Sequence, residues 1–298
     1  MKHIVYLLLT LSLSACFSKK GNEQAQAPSK PVITAVNYPL YYFTERIGGD
    51  YVDLKYTIPS DVDPAYWIPD SESLTLIQEC DVLFTNGADY AKWLNNVSIP
   101  ERIKVNTTAG LKDEYIEIKI GQAHSHGDGE EHVHTGLAFT TWLDLSIAMR
   151  QAEAIKDKLV ELCPDKKSEI EANFAGLKTD LKSLDGQLKN IQSDAVLIGS
   201  HPVYQYLASA YHLEIYNVHF EPNELPSNKQ WHELDHLLDH YPAAMMIWEA
   251  EPLPQIKEEL EKRKVAVIVY SPVGNKPVEG NFLSVMQSNV KELSSQLY

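Results

Sequence analysis

Residues 195–218 read AVLIGSHPVYQYLASAYHLEIYNV and contain the pattern that decides the fold. The apolar run Ala195–Gly199 predicts a buried strand, Val203–Tyr211 a helix, and Glu214–Val218 a second strand. A strand, a helix and a strand in this order predict a parallel βαβ unit. Ligands of such sheets bind beyond the carboxyl ends of the strands, so His201 lies at the predicted binding edge.

The same alternation of short apolar runs and amphipathic stretches continues on both sides of this unit and predicts two parallel sheets covered by helices. The predicted strands are Val32–Asn37, Val52–Ile58, Val82–Thr85, Ile103–Asn106, Ala195–Gly199, Glu214–Val218, Ala243–Trp248 and Val265–Tyr270. The predicted helices or single turns are Leu40–Ile47, Ser71–Glu79 and Tyr90–Asn95. The further predicted helices are Asp144–Leu162, Ser168–Ile191, Val203–Tyr211, Lys229–His240, Leu253–Arg263 and Gly280–Leu297.

A long helical stretch separates the two halves. Apolar residues in Ser168–Ile191 recur at spacings of three and four, and the remaining positions are polar. We therefore predict an α/β protein of two βα lobes with parallel sheets, joined by a long linker helix, with a binding cleft between the lobes. The predicted boundaries are 31–164 for the N-terminal lobe, 165–191 for the linker helix and 192–298 for the C-terminal lobe.

Residues 1–15 are predicted to be a targeting segment. A lysine precedes the apolar run Ile4–Leu13, which is too short to span a bilayer. The next residues, LSAC at 13–16, resemble a bacterial lipobox, which implies cleavage before Cys16 and lipidation of that residue. Residues 16–30 have the composition of a flexible tether. We expect an exported protein that is lipid-anchored to a bacterial membrane and faces the periplasm or the cell exterior.

The formal net charge of the chain is −15. Nucleic acid and anionic membrane surfaces would repel such a protein, so we expect neither as a partner. No second apolar run reaches the length of a membrane span, and we expect a monomer whose body lies in solution. Cys80 and Cys163 could form one disulfide in an exported protein, but the sequence leaves their pairing open.

Residues 122–135, QAHSHGDGEEHVHT, form a histidine-rich loop. Imidazole is a common ligand of zinc and its neighbours, and the acidic residues raise the local cation concentration. Two glycines and the lack of apolar periodicity predict a mobile loop rather than a preformed site. We interpret the histidines as capture ligands, the alternative being a polar surface insertion without a role. They are His124, His126, His132 and His134.

The predicted strand ends indicate which residues face the cleft. In the C-terminal lobe three possible metal ligands follow strands, namely His201, Glu221 and Glu249. His201 also lies at the start of a predicted helix, so it could instead be a capping residue. The strand ends further place Asn37, Tyr38, Tyr66, Trp67 and Ser271 at the cleft.

Three motifs point to a family. They are CDVLFTNG at 80–87, TWLD at 141–144 and SHPVYQYL at 200–207. In this order, together with the histidine-rich loop and the long helix, they resemble the solute-binding proteins of zinc and manganese ABC importers. The resemblance covers nearly the whole mature chain. It implies a receptor, not an enzyme, that takes zinc or another divalent metal as its transported ligand and delivers it to a membrane permease.

The chain departs from the family at most of the metal-ligand positions. Members typically have a histidine in a Pro-His-x-x-x-Pro stretch, where this chain has Ala65, and a second histidine two residues before Trp142, where this chain has Thr140. The third position is retained as His201. The fourth position, usually an aspartate, is Ser271. Alanine cannot coordinate a metal, and neutral hydroxyls are poor zinc ligands.

Three explanations remain open for the cleft. The first is a metal site in which His201, Glu249 or Glu221 and histidines of the loop act together. The second is a chelated metal or another small molecule held against Tyr38, Tyr66, Trp67 and Trp142. The third is a cleft without a ligand in an accessory chaperone or adhesin.

A different class of protein is suggested by residues 231–240, WHELDHLLDH. His232, Glu233 and His236 match the zinc-peptidase pattern H-E-x-x-H, which needs both histidines on one helix face. The predicted helix is short, and the next segment continues the βα alternation instead of supplying a peptidase framework. A surface helix with exposed histidines, or a weak surface metal site, is the interpretation we favour.

Overall fold

A computed structural model describes residues 29–118 and 136–297 with their side chains, and between them the backbone of 123–126 and 130–133. The predicted leader, the lipidation site Cys16 and nearly all of the tether lie outside the described residues, as does His134. Among the described helices, none combines the length and the apolarity that a membrane crossing requires.

The eight predicted strands are present in the described chain, and four short strands between residues 117 and 137, which pair antiparallel, were not predicted. In chain order the strands are β1 (Val32–Ala35), β2 (Asp53–Leu54), β3 (Val82–Thr85), β4 (Lys104–Asn106), β5 (Glu117–Ile118), β6 (Ala123–His126), β7 (Glu130–Val133), β8 (Gly136–Leu137), β9 (Val196–Gly199), β10 (Glu214–Asn217), β11 (Met245–Trp248) and β12 (Ala266–Val269).

The α-helices lie within two residues of the predicted bounds, and the helix or turn predicted at Tyr90–Asn95 is a 3₁₀ turn, Lys92–Asn95. They are α1 (Tyr38–Gly48), α2 (Ser71–Glu79), α3 (Leu145–Leu162), α4 (Lys167–Lys189), α5 (Gln205–Tyr211), α6 (Asn228–His240), α7 (Pro254–Lys262) and α8 (Phe282–Leu297).

Two four-stranded sheets form the centres of the two lobes. Their strand orders are β2-β1-β3-β4 and β10-β9-β11-β12, and all neighbouring strands are parallel. Because the strands of each sheet are parallel, their carboxyl ends lie along one edge, and the chain returns from the second strand to the other side of the first. The predicted α/β architecture of two parallel-sheet lobes is confirmed.

Strand β2 is shorter than its apolar pattern predicts. The sequence indicates Val52–Ile58, but the strand is confined to Asp53–Leu54, and the Lys55 amide makes one further ladder bond to Ile33. Beyond it the chain leaves the sheet because Tyr56 turns toward the other lobe, where its hydroxyl donates to Asn275 Oδ1 at 3.0 Å. A nonlocal contact therefore ends the strand.

Helix α4 corresponds to the long helix predicted at Ser168–Ile191. It follows a 3₁₀ turn, Pro164–Lys166, and packs on α1, α3 and α8. The side chains of its apolar stripe are buried: Ile170, Phe174, Leu177, Leu181, Leu184 and Leu188. The Tyr211 hydroxyl of α5 accepts from the amide of Leu145 and donates to Asp185 of α4, which ties the helix to both lobes.

The two remaining cysteines are both free thiols. Cys80 is buried at the end of α2, and Cys163 is half-buried after α3. The disulfide that the sequence left open is not formed in this structure.

A docking loop, residues 271–276 after β12, joins the C-terminal lobe to the N-terminal lobe. The indole Nε1 of Trp142 donates to the Pro272 carbonyl at 2.7 Å, and the Tyr38 amide donates to the Gly274 carbonyl at 2.9 Å. Between them Val273 has a φ of +57°, a left-handed conformation that is unfavourable for a β-branched residue. Contacts with the other lobe hold the backbone of the docking loop in this conformation.

Asn275 provides the side-chain contacts of the docking loop. Its Nδ2 donates to the carbonyls of Pro59 and Val62 at 2.6 and 2.7 Å, and its Oδ1 accepts from Tyr56.

Replacing Asn275 with alanine should lower the free energy of unfolding by about 1–3 kcal/mol, because three partners across the lobe boundary lose their bonds. Urea denaturation checks this. Lys276→Ala, at the exposed next position, is the control, and equal midpoints for the two variants would contradict the prediction.

Candidate metal centre

His201 is held by the backbone at the end of β9. The Ser200 amide donates to the carbonyl of Ile247 in β11, and the Ser200 carbonyl accepts from the amide of Phe220, so the turn is bonded to one neighbouring strand and to the segment that follows the other. Gly199 allows the Asn217 side chain to approach closely, because a Cβ at this position would lie 2.2 Å from Asn217 Oδ1 and that side chain would have to move. His201 is 9% exposed, and its imidazole lies at the edge where the strands end.

Glu221 and Glu249 follow the two strands that flank β9. Glu249 comes directly after β11, and Glu221 follows β10 by a few residues. The structure brings the three side chains together: His201 Nδ1 lies 3.3 Å from Glu221 Oε1, and one ligand atom from each residue lies within 4.8 Å of the other two. In the described part of the chain this is the one group of three histidine, cysteine or acidic side chains so arranged.

The pKa of the Glu249 carboxyl is raised toward neutral pH. Burial, followed by the nearby charges of Glu221 and Asp63, raises its pKa from an ordinary 4.5 to about 7. Burial also raises the pKa of Asp63, although the amide of Ala65 donates to its carboxylate at 2.8 Å. Several acidic groups thus converge at the strand ends, and a divalent metal among them would lower the repulsion between their charges.

Two further residues near the candidate metal centre, His219 and Asp63, are not among the site residues predicted from the sequence. The ring of His219 packs edge-on against that of His201, with centroids 5.6 Å apart. His219 follows the predicted strand Glu214–Val218, so the strand-end rule could have found it. Asp63, from the N-terminal lobe, lies in the stretch 60–67 after the second predicted strand, but no motif distinguishes it there.

The residues that replace the family's ligands have structural contacts. Thr140 Oγ1 donates to the carbonyl of Val203 at 2.6 Å, and the Ser271 hydroxyl accepts from the amide of Val273. Asn289 also bonds both the amide and the carbonyl of Ser271. Ala65 is buried. Thr140 therefore links the two lobes, Ser271 is bonded within the C-terminal lobe, and none of the three positions supplies a charged donor.

Most of the residues predicted to line the cleft are packed in the interior. Tyr38, Trp67 and Trp142 are at most 7% exposed, and Asn37 is fully buried, where it caps α1 and donates to Asn86. Of the four aromatic residues predicted to line the cleft, only Tyr66 is exposed, with 49% of its surface accessible to solvent. The structure does not assemble them into one stacking surface.

The histidine-rich loop contains a short β-hairpin. Strands β6 and β7 are antiparallel, and their register sets His124 opposite His132 and His126 opposite Glu130. His134 lies outside the described residues, so its predicted reach toward the cleft is not addressed by the structure. His232, Glu233 and His236 lie on α6, away from the ligand group at the strand ends.

Two parallel-sheet lobes with a candidate metal centre at the strand ends define the class of helix-linked solute-binding proteins. The family model of the zinc-uptake complex component A, periplasmic (ZnuA), matches residues 33–296, and the chain belongs to that family. The expected resemblance to metal-importer receptors is confirmed.

Individual relatives are similar over nearly the whole chain. The zinc-binding lipoprotein AdcA of Streptococcus pneumoniae is 27% identical over 96% of this chain, which spans 60% of the AdcA length. The high-affinity zinc uptake system protein ZnuA of Bacillus subtilis is 24% identical, with 96% of each chain covered. The Zn(II)-bound ZnuA-like domain of S. pneumoniae AdcA has a TM-score of 0.74 at 23% identity, covering 90% of this chain and 99% of that domain, and supports the fold.

Proposed function

We propose that the protein is the receptor of a zinc ABC importer, which binds the metal with His201, Glu221 and Glu249 and delivers it to a membrane permease. The observation that carries this proposal is the convergence of the three side chains at the strand ends of one sheet. Zinc is the metal in the names of the AdcA and ZnuA relatives. Manganese or another divalent ion is the alternative that the donor set also accommodates.

The spacing of the three groups suits a bare ion. Ligands about 2.1 Å from a tetrahedral zinc lie about 3.4 Å from one another. The 3.3 Å between His201 and Glu221 fits this value, and a side-chain rotation would bring Glu249 into range. One imidazole and two carboxylates leave a fourth position for water or for a nearby side chain such as His219.

A bare ion also agrees better with the surroundings than a chelate does. A chelate needs a cavity with an open stacking surface, whereas Tyr38, Trp67 and Trp142 are packed in the interior. We further infer a monomeric, exported receptor, anchored through Cys16 and working without catalysis. The docking loop and the buried face of α4 support small shifts of the lobes as the route of metal release.

Calorimetric titration of the metal-free protein with zinc tests the proposal. We expect one tight site per chain that is lost in a Glu221→Gln Glu249→Gln double variant, because the remaining imidazole cannot hold the ion alone. Deleting the gene in the bacterium that makes the protein should also slow zinc uptake from chelator-treated medium. Tight binding that survives the double substitution would refute the assignment of the ligands.

The histidine-rich loop has a separate expected effect. Deleting residues 122–135 should leave the one tight site unchanged in affinity but remove weaker additional zinc equivalents, because this segment holds four histidines close together in sequence. The same calorimetric titration at excess zinc measures both classes of site. Loss of the tight site on deletion would instead show that loop histidines complete the cleft.

A further inference from the structure

Helix α6 presents an exposed face of possible metal ligands that the cleft does not use. At 100° per residue, His232, His236, Asp239 and His240 fall within about 100° of one another around the helix. All four side chains are exposed, whereas Leu234 on the opposite face is buried among the apolar residues behind β11. The helix is therefore anchored on one side, and the ligand types cluster on the other.

Two of these histidines, His236 and His240, have their rings in contact. The rings of His236 and His240 have centroids 4.3 Å apart and are inclined by 31°. This contact joins residues four apart, one turn beyond the pair that the H-E-x-x-H pattern requires. The two rings in contact are therefore those of His236 and His240, and not those of His232 and His236 that the peptidase pattern requires.

A hydrogen bond orients the second ring of the pair. His240 Nδ1 lies 2.8 Å from the carbonyl oxygen of His236, and because a carbonyl only accepts, the nitrogen is the donor. The lone pair of the neutral ring is then on Nε2, on the side away from the helix backbone. A bond from the other ring nitrogen to a backbone carbonyl is the usual support of a metal-binding histidine.

The N-terminal end of α6 is fixed to the segment that carries the cleft residues. Ser227 and Gln230 form a capping box, and the Gln230 amide also donates to the carbonyl of His219. From Gln230 to the C-terminal histidine is about 15 Å along the axis at 1.5 Å per residue. The paired rings therefore lie on a rigid element but outside ligand distance of His201, Glu221 and Glu249.

We propose that His236 and His240 form a second metal site on the surface of α6, which binds a divalent cation of the zinc type through the two Nε2 atoms. The Asp239 carboxylate, one residue before His240 on the same face, adds negative charge, and water completes the coordination. The site binds more weakly than the cleft because it has two protein ligands instead of three. It stands independently of the proposed importer function.

Histidine-selective NMR of the full chain tests this site residue by residue. Metal-free protein labelled at the imidazole carbon and nitrogen atoms is titrated with zinc sulfate. After the cleft has filled, as reported by the His201 signals, the Nε2 signals of His236 and His240 should shift together with one common affinity. His236→Ala and His240→Ala should each weaken that affinity about tenfold or more, because a single imidazole remains.

His232→Gln is the matched control, since it removes another exposed imidazole from the same helix. We expect it to leave the common affinity of His236 and His240 unchanged. An equal loss in this variant, or independent shifts of the two rings in the parent protein, would overturn the paired site. Because His201 is read in the same spectra, failure of the cleft site would be seen separately from failure of this one.

Discussion

His201→Ala should weaken zinc binding at least about a hundredfold, which makes it the substitution with the largest expected effect. The imidazole is the only nitrogen ligand of the proposed group, and it is buried at the end of β9. Without the imidazole, the carboxylates of Glu221 and Glu249 would have to hold zinc, with water in the position that the imidazole leaves. Competition with a fluorescent zinc chelator measures the affinity over the required range.

The control for this substitution is His212→Asn. His212 is exposed in the same lobe, and its φ of +55° is a conformation that asparagine tolerates. The variant therefore removes a histidine from the C-terminal lobe without straining the backbone, and its zinc affinity should equal that of the parent. Retention of tight binding in His201→Ala, or an equal loss in His212→Asn, would contradict the proposed centre.

Glu249→Gln should make the metal-free protein more stable at pH 8, by about 2–3 kcal/mol. In the folded protein the pKa of Glu249 is about 7, above its ordinary 4.5, because burial and neighbouring acids disfavour the charged form. Between these two values the folded state binds more protons than the unfolded state. The stability of the parent protein therefore falls as the pH rises through this window.

Chemical denaturation in the presence of a chelator measures this difference. At pH 4 both folded and unfolded Glu249 are largely protonated, so variant and parent should be similar, and the gap should open between pH 5 and 8. Exposed Glu224→Gln is the control and should leave the pH profile unaltered. If the parent gained stability relative to Glu249→Gln as the pH rose, the sign of the argument would be wrong.

The candidate centre could be predicted in large part because parallel sheets obey a simple rule. His201, Glu221 and Glu249 each follow an apolar run, and the carboxyl ends of such strands meet at one edge. The rule requires only local pattern and strand type, both of which the sequence contains. It would have included His219 as well, had every residue after a strand been considered.

Other features depended on contacts that leave no local pattern. The sequence suggested that Trp142 and Tyr38 face a ligand, but each bonds the docking loop from the other lobe. That loop contains a valine in a left-handed conformation, which sequence propensity does not predict. Asp63 is likewise brought near Glu249 only when the two lobes meet.

All three proposed ligands belong to the C-terminal lobe, and in the proposed importer this placement would affect how a permease tells a loaded receptor from an empty one. Metal binding would not need to draw the lobes together, so the outline of the protein would change little. What would change is the local potential, because a doubly positive ion would be added to a site that contains the acidic side chains of Glu221, Glu249 and Asp63. A transporter that docks over the cleft would then recognise the loaded state by its electrostatic field and not by its shape.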